Sequence, residues 1–459
     1  MGERTAILNV VGLTPRLLGA NTPRLNALVE QGGLTRVKPV LPAVTCTAQS
    51  TYFTGLAPSG HGCVANGWFD RELSEHHFWK QSNHVVHGKK LWERARERRP
   101  GFTCAKLFWW YNMYSTADWS ITPRPMYPAD GRKFFDVYSH PSSIRDEIKK
   151  TLGDFPFPAF WGPTAGLPSS EWIAGSARWT EERHSPDLAL VYLPHLDYNL
   201  QRLGPDDPKL AADVQAIDRV TGDLIDFYAK RGVKSVVLSE YGITQVKRSI
   251  ALNRVFREHG WIAIREELGR ELLDCGASQA FAIADHQIAH VYVRDPALRP
   301  KVRAVLEGIA GVASVLEGDT LRAAGLDHAR SGDLVVFSEE HAWFTYYYWD
   351  DDSRAPDFAR CVDIHRKYGY DPVELFVDPA ISVPMVKIGL KLVKKKLGFR
   401  MLMDVIPLDA SLVKGSHGLR PANPADWPVL ITERHDLLPA HQLDSIAAYD
   451  IIKQHVISA

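Results

Sequence analysis

The sequence predicts an α/β protein: a doubly wound, mostly parallel sheet with helices on both faces, plus a small α/β insert. Three observations lead there. Continuous apolar runs at residues 5–11 (TAILNVV), 188–193 (LALVYL) and 235–238 (SVVL) suit strands covered on both faces. Between the last two, residues 207–230 repeat Leu210, Val214, Ile217, Val220, Leu224 and Tyr228 along one helical face. Strand–helix–strand alternation of this kind argues for parallel strands joined by crossovers. The texture then changes between residues 265 and 331, where short strands surround one helix.

In chain order, residues 5–11 form the first strand, closed by Gly12-Leu13-Thr14-Pro15, and residues 23–31 a short helix. Residues 34–41 form a second strand, followed by a proline turn and a helix that stops at Gly55. Residues 58–70 (PSGHGCVANGWFD) read as a turn-rich loop, 89–98 as a charged helix, and 103–108 as a strand leading into Trp109-Trp110-Tyr111-Asn112. Residues 115–180, rich in Pro, Trp and Ser, are expected to be a long excursion forming a substrate wall. In the insert, strands at 289–293 and 313–316 flank a helix at 298–309, and residues 333–337 (DLVVF) are expected to return to the main sheet. The core is therefore assigned to residues 1–264 and 332–459, with 265–331 as the insert. Residues 387–400 carry six cationic side chains on an amphipathic helical pattern. A solvated face is the expectation there, with a membrane-surface contact as the alternative.

Lys+Arg 54 balances Asp+Glu 54, so no global field draws the chain to a nucleic-acid polymer. No run of eighteen apolar residues and no secretory leader pattern is present, and a cytoplasmic location is expected. The five cysteines (Cys46, Cys63, Cys104, Cys275, Cys361) are scattered without a CxxC pair, which indicates neither a disulfide framework nor a thiolate metal site. Oligomeric state is not legible.

The stretch from Val40 to Gly55 carries the chemistry. It reads as a strand end, a turn at Pro42, and a hydroxyl-rich first helical turn containing Thr45 and Thr47. Unpaired backbone N–H groups and the macrodipole favour negative charge at such a place, so a phosphate could sit there. Either threonine could equally be an N-cap. In a parallel sheet, ligands bind beyond the carboxyl ends of the strands. Residues following the strands therefore point into one cleft: Thr45, His195, Asp197, Glu240 and Tyr241. The tryptophan-rich segments, with Trp109, Trp110, Trp119 and Trp161, could supply a stacking wall for a flat group.

Taken together, Pro42 through Thr45 to Thr54-Gly55, then Pro58 and His61-Gly62, Asp197, Glu240 and the late Gly415-Ser416-His417-Gly418 resemble the alkaline phosphatase superfamily. The branch most similar is that of nucleotide pyrophosphatases/phosphodiesterases and phosphonoacetate hydrolase, and the motifs run in the family's order over nearly the whole chain. The resemblance implies Thr45 as the nucleophile of a phosphoric ester hydrolase. It implies in-line attack on phosphorus, a phospho-threonine intermediate, and one or two divalent ions, usually zinc. It places Asp197, His417, Glu240 and Gln201 at the metal positions; Gln49, His195, Tyr241 and Trp110 are expected on the substrate side. The implied substrate is a small phosphate ester or nucleotide-like molecule.

The chain departs from that pattern. Val11-Gly12 stands where Asp-Gly is expected, Gln201 stands where Asp197 should be followed by an imidazole, and Glu240-Tyr241 replaces Asp-His. Three readings follow. The first is a hydrolase with one metal held by Asp197, His417 and a third group, His195 or Gln201. In the second, the site is rebuilt with Asp285/His286/His290 or Asp363/His365. His286 and His290 lie about 13 Å apart along a strand, so at most one could be a ligand. The third is a catalytically degenerate member acting as a ligand-binding or regulatory protein.

Overall fold

The computed structural model describes residues 2–439 and 442–457. Among these, seven strands of one large sheet come first: β1 (Thr5–Val10), β2 (Gly33–Lys38), β3 (Cys104–Leu107), β4 (Trp119–Pro123), β5 (Val137–His140), β6 (Leu188–Leu193) and β7 (Lys234–Leu238). Four more, β8 (Ala280–Asp285), β9 (Ile288–Val293), β10 (Val312–Leu316) and β11 (Leu334–Ser338), build a separate sheet. Then β12 (Val429–Thr432) and β13 (Gln442–Asp444) return to the first one. The large sheet has the order β13-β2-β12-β7-β1-β6-β3-β4-β5. Its centre, β7-β1-β6-β3-β4, is parallel throughout; β12 and β5 run antiparallel to their neighbours. Every residue of β1 and β6 is buried. Successive side chains of a strand point to opposite faces, so both faces of the sheet centre are covered, as the unbroken apolar runs require.

The helices form two groups. One joins α1 (Thr45–Thr54) to Leu91–Arg98 through Ser445–Val456, and the other packs α2 (Leu167–His184), α3 (His195–Leu203) and α4 (Leu210–Ala229) together. The apolar stripe of α4 is buried at Leu210, Val214, Ile217, Val220, Leu224 and Tyr228.

Two expectations are corrected. Residues 115–180 are not a loop-like excursion, because they contain the sheet strands β4 and β5 and the 18-residue helix α2. That helix buries small polar residues such as Ser169, Ser170 and Ser176 beside Trp172 and Trp179, so it shows no one-sided stripe. Residues 333–337 do not rejoin the main sheet: β11 pairs antiparallel with β9 and β10. An apolar run marks a buried strand without naming its partner. The expected boundary at 331 thus falls inside a four-stranded sheet that extends from Ala280 to Ser338.

Candidate active site

Thr45 is the first residue of α1, and Val44 holds the cap position without a side-chain bond. The Thr45 hydroxyl is therefore not spent on capping its own helix. Thr47 turns the other way, donating to the Cys63 carbonyl at 2.9 Å. Thr45 Oγ1 meets the Tyr241 hydroxyl at 3.2 Å, and that hydroxyl donates to Asp197 Oδ1 at 3.1 Å. Because the phenol proton is committed to the carboxylate, Thr45 is the donor in the first bond. Gln201, one turn along α3 from Asp197, donates its amide to Asp197 Oδ2 at 2.7 Å. Burial pushes the Asp197 carboxyl up to about 6, with the bonds from Tyr241 and Gln201 opposing it.

His417 completes this group. Its ring stacks on Tyr241 with centroids 3.6 Å apart and planes within 6°. Nδ1 sits 2.8 Å from the Ala43 carbonyl, an acceptor, so Nδ1 carries the proton and Nε2 keeps its lone pair. Burial holds His417 down to about 3, so its 4.0 Å approach to Asp197 is not an ion pair. The flanking glycines have a steric reason. A Cβ at Gly415 would lie 2.1 Å from the Leu200 carbonyl oxygen, and Gly418 (φ +126) has its Cβ position 3.0 Å from the Gln287 backbone.

The β8–β9 hairpin reaches in from the second sheet. At its tip, His286 (φ +62) packs against His417 with ring centroids 3.7 Å apart, and Gln287 N–H donates to the His417 carbonyl at 2.9 Å. Asp285 accepts two bonds from Asn66, whose side-chain oxygen accepts from the Cys46 N–H in the first turn of α1. His290 points elsewhere, bonded to the Val64 carbonyl and the Gly332 N–H. Only His286 of that pair reaches the cleft.

Thr45, Asp197, Tyr241, His286 and His417 line one cleft together with Trp79, Trp110, Trp161, Tyr192 and Tyr370. Among the described residues, no lysine or arginine lines it. Of the expected substrate-side residues, Tyr241 and Trp110 are there, while Gln49 and His195 are not. Gln49 is fully buried behind Thr45, donating to Glu240 and accepting from the Trp110 N–H at 2.7 Å. His195 faces Asp213 on α4, with Nε2 3.2 Å from its carboxylate. On a helix, positions two apart point to nearly opposite sides, so Asp197 and His195 cannot share the cleft. Trp109 packs on Phe53 in the core and Trp119 stacks on His184. Asp363 and His365 line a neighbouring groove instead. Trp79 and Tyr370 were not picked out from the sequence: Trp79 follows the short strand Glu75–Phe78 of a two-stranded hairpin, which no apolar run announces, and Tyr370 follows no strand. Tyr192, near the end of β6, carried the strand-end signal and was overlooked.

Glu240, expected as a ligand, lies behind Thr45 with zero exposure. Its Oε1 accepts from Asn9 Nδ2 at 2.5 Å and from Gln49 Nε2 at 2.6 Å, while Oε2 has no partner. Burial raises it to about 8, against the bonds from Gln49 and Asn9, so near neutrality it is largely protonated. The residues present do not fit the two-ion centre implied by the resemblance. Val11 is a buried hydrocarbon, both Asp197 oxygens hold donors, and Glu240 is turned to amides. Among the described residues, no group of three or more His, Cys, Asp or Glu side chains is arranged to hold a metal ion.

The sequence matches the family of type I phosphodiesterases/nucleotide pyrophosphatases over residues 5–371. An uncharacterised pyrophosphatase/phosphodiesterase of Schizosaccharomyces pombe is 26% identical over 253 residues, which is 51% of this chain and 44% of that protein. The chain thus spans less than half the length of that curated relative. Two solved structures share the fold. Murine ectonucleotide pyrophosphatase/phosphodiesterase 5, solved as an inactive threonine-to-alanine form with AMP, superposes with a TM-score of 0.58 at 14% identity, covering 99% of this chain and 95% of that one. Phosphonoacetate hydrolase from Sinorhizobium meliloti, in complex with phosphonoacetate, gives 0.63 at 16% identity, covering 99% and 96%. With four-fifths of its length inside the family match, the chain belongs to the type I phosphodiesterase/nucleotide pyrophosphatase family.

Proposed function

We propose that the chain is a phosphoric ester hydrolase of the phosphodiesterase or nucleotide pyrophosphatase type, with Thr45 as its nucleophile. The observation that carries this reading is the hydrogen-bonded line from Thr45 through Tyr241 to Asp197, at the N-terminus of a ten-residue helix. As Thr45 Oγ1 attacks phosphorus, its proton passes to the Tyr241 oxygen while the phenol proton moves to Asp197, which is ionised above about pH 6; the opposite P–O ester bond breaks, and the departing alkoxide or aryloxide takes its proton from solvent. The N–H groups of the first turn of α1 other than that of Cys46, which already donates to Asn66, stabilise the phosphoryl oxygens. In the second step the line runs backwards: Asp197 returns its proton through Tyr241 to Thr45 Oγ1 as water displaces it, the free Nε2 of His417 accepts a hydrogen bond that orients this water, and the product's extra proton goes to solvent. With no lysine or arginine in the lining, a singly charged diester or pyrophosphate link suits the cleft better than a dianionic monoester. Trp79, Trp110 and Trp161 offer rings for a nucleobase or another flat group. The AMP and phosphonoacetate found in the relatives' complexes support a small-molecule substrate. All five cysteines are unpaired and buried, which supports the cytoplasm as the site of action.

One observation favours a second reading, a phosphate-ester binder without turnover. Asp197 and Glu240 are already satisfied by donors from within the chain, as in a site settled without chemistry. Hydrolysis of an aryl phosphodiester, with and without added Zn²⁺, separates the two, with Thr45→Ala as the control. The hydrolase reading expects turnover that falls at least about a thousand-fold in Thr45→Ala, and a phosphoryl adduct on Thr45 by mass spectrometry after acid quench. Equal rates in parent and variant would leave only the binder.

A further inference from the structure

Helix α5 (Pro384–Lys396) is oriented against the usual rule for a surface helix. Met385, Val386, Leu390, Val393 and Leu397 fall on one face by their spacing, and all are exposed, Met385 to 78% and Leu397 to 69%. The side that holds the helix to the protein is formed by Ile388, packed near Val373 and Ile406, and by Lys387 and Lys391, both paired with Asp404. The sequence suggested a solvated cationic face here. The structure instead exposes the hydrocarbon as well.

A second exposed apolar segment adjoins it. Residues 124–136 fold back on themselves through the Met126–Phe134 bridge, presenting Met126, Tyr127, Phe134 and Phe135 to solvent. Arg400 links the two segments, its guanidinium donating to the Asp130 carbonyl at 3.5 Å. Together they hold most of the large hydrophobic side chains exposed on the described surface. Cations border this patch. Lys394, Lys396 and Arg400 are exposed on one segment and Arg132 on the other, and residues 379–403 contain no Asp or Glu. In a chain of zero net charge, that concentration is local.

We propose that this face docks on an anionic lipid bilayer. Exposed aliphatic and aromatic side chains enter the boundary between headgroups and acyl chains, and the flanking lysines and arginines meet lipid phosphates. Charge complementarity selects this occupant: a second copy of the same face would oppose cation to cation. Docking also bears on the candidate cleft. The groove beside residues 124–136 is lined by Arg124, Tyr127 and Lys133 and shares Trp110, Phe160 and Trp161 with it. Resting on the hydrolase reading, the docked face brings that cleft beside phosphate esters carried by lipids.

The test is co-sedimentation of the full chain with vesicles of phosphatidylcholine alone, or of phosphatidylcholine with phosphatidylglycerol. It reads the surface whether or not Thr45 turns over a substrate. Binding is expected only to the anionic vesicles, and is expected to weaken in ~0.5 M salt. A surface lysine contributes roughly five-fold in partition, so Lys394→Glu with Lys396→Glu should lower it at least about twenty-fold. Leu390→Glu with Val393→Glu should abolish it, while thermal midpoint and aryl diester turnover stay at parent values. Absence of binding to anionic vesicles, or parent-level binding by both pairs of variants, overturns the proposal. So does a parent dimer that binds no vesicle and becomes monomeric in Leu390→Glu/Val393→Glu, since a second copy would then cover the face.

Discussion

Glu240→Gln is the most direct probe of the buried carboxylate behind Thr45. The substitution keeps an acceptor where Asn9 and Gln49 donate, and places an amide where Oε2 now has no partner. In the folded chain, burial raises this carboxyl from 4.5 to about 8. The unfolded chain therefore releases the proton first, and Glu240 favours the folded state fully only below about pH 4.5. That contribution is lost as pH rises, until it levels off above about 8. At about 1.4 kcal/mol per unit, the rise sets an upper scale of about 5 kcal/mol, of which a few kcal/mol should survive relaxation of the site. Urea midpoints from tryptophan fluorescence between pH 5 and 9 report it, because other titrating groups cancel between parent and variant. Glu240→Gln should gain on the parent steadily from pH 5 to about 8 and no further above it. Parallel pH profiles would refute the assignment of a largely neutral, buried Glu240.

Tyr241→Phe cuts the line between Thr45 and Asp197 while keeping a ring against His417. Turnover should fall about a hundred-fold or more, and the acid limb of kcat/KM, expected near pH 6 from Asp197, should move to higher pH because a bond that lowers its pKa is gone. An unchanged limb would detach Asp197 from the reaction. Trp110→Ala should raise KM for a nucleoside aryl diester about ten-fold with little change in kcat, since stacking on an aromatic ring contributes roughly 1–3 kcal/mol. An unaltered KM would remove this wall from the substrate's path.

Much of this arrangement was legible because it is local. Buried strands announce themselves as apolar runs, and the residues that follow them must lie at one edge of a parallel sheet, which brought Thr45, Asp197 and Tyr241 together before any coordinates. What strand-end reasoning could not resolve is direction. Glu240 and Tyr241 are neighbours just past the end of β7 and point to opposite sides, one to Asn9 and Gln49, the other to the cleft. His195 and Asp197 diverge for the equivalent helical reason. His286 depends on where a hairpin tip from another sheet lands, and β11 on which strands it pairs with; both are long-range facts. The density of small polar residues hid α2, since burial there is not one-sided.

The altered positions form a consistent set rather than scattered losses. A site that holds cations leaves carboxylates facing one another across the metal, and removing ligands from it would strand those charges in a low-dielectric interior. Here each carboxylate has acquired donors from within the chain. Asp197 takes a phenol and an amide from the two residues, Tyr241 and Gln201, that stand where the resemblance expects imidazoles. Glu240 takes two amides from Asn9 and Gln49 and holds a proton near neutrality. The same substitutions turn the threonine's surroundings from a charge trap into a hydroxyl–phenol–carboxylate line. On the proposed hydrolase reading, such a line moves a proton but supplies little positive charge, so the part of the barrier it can lower is proton removal from Thr45. The phosphoryl charge is left to the N-terminus of α1, whose partial charge of about half a unit matches one negative charge far better than two. Substrate charge, more than substrate size, is therefore the property on which this cleft should discriminate most sharply.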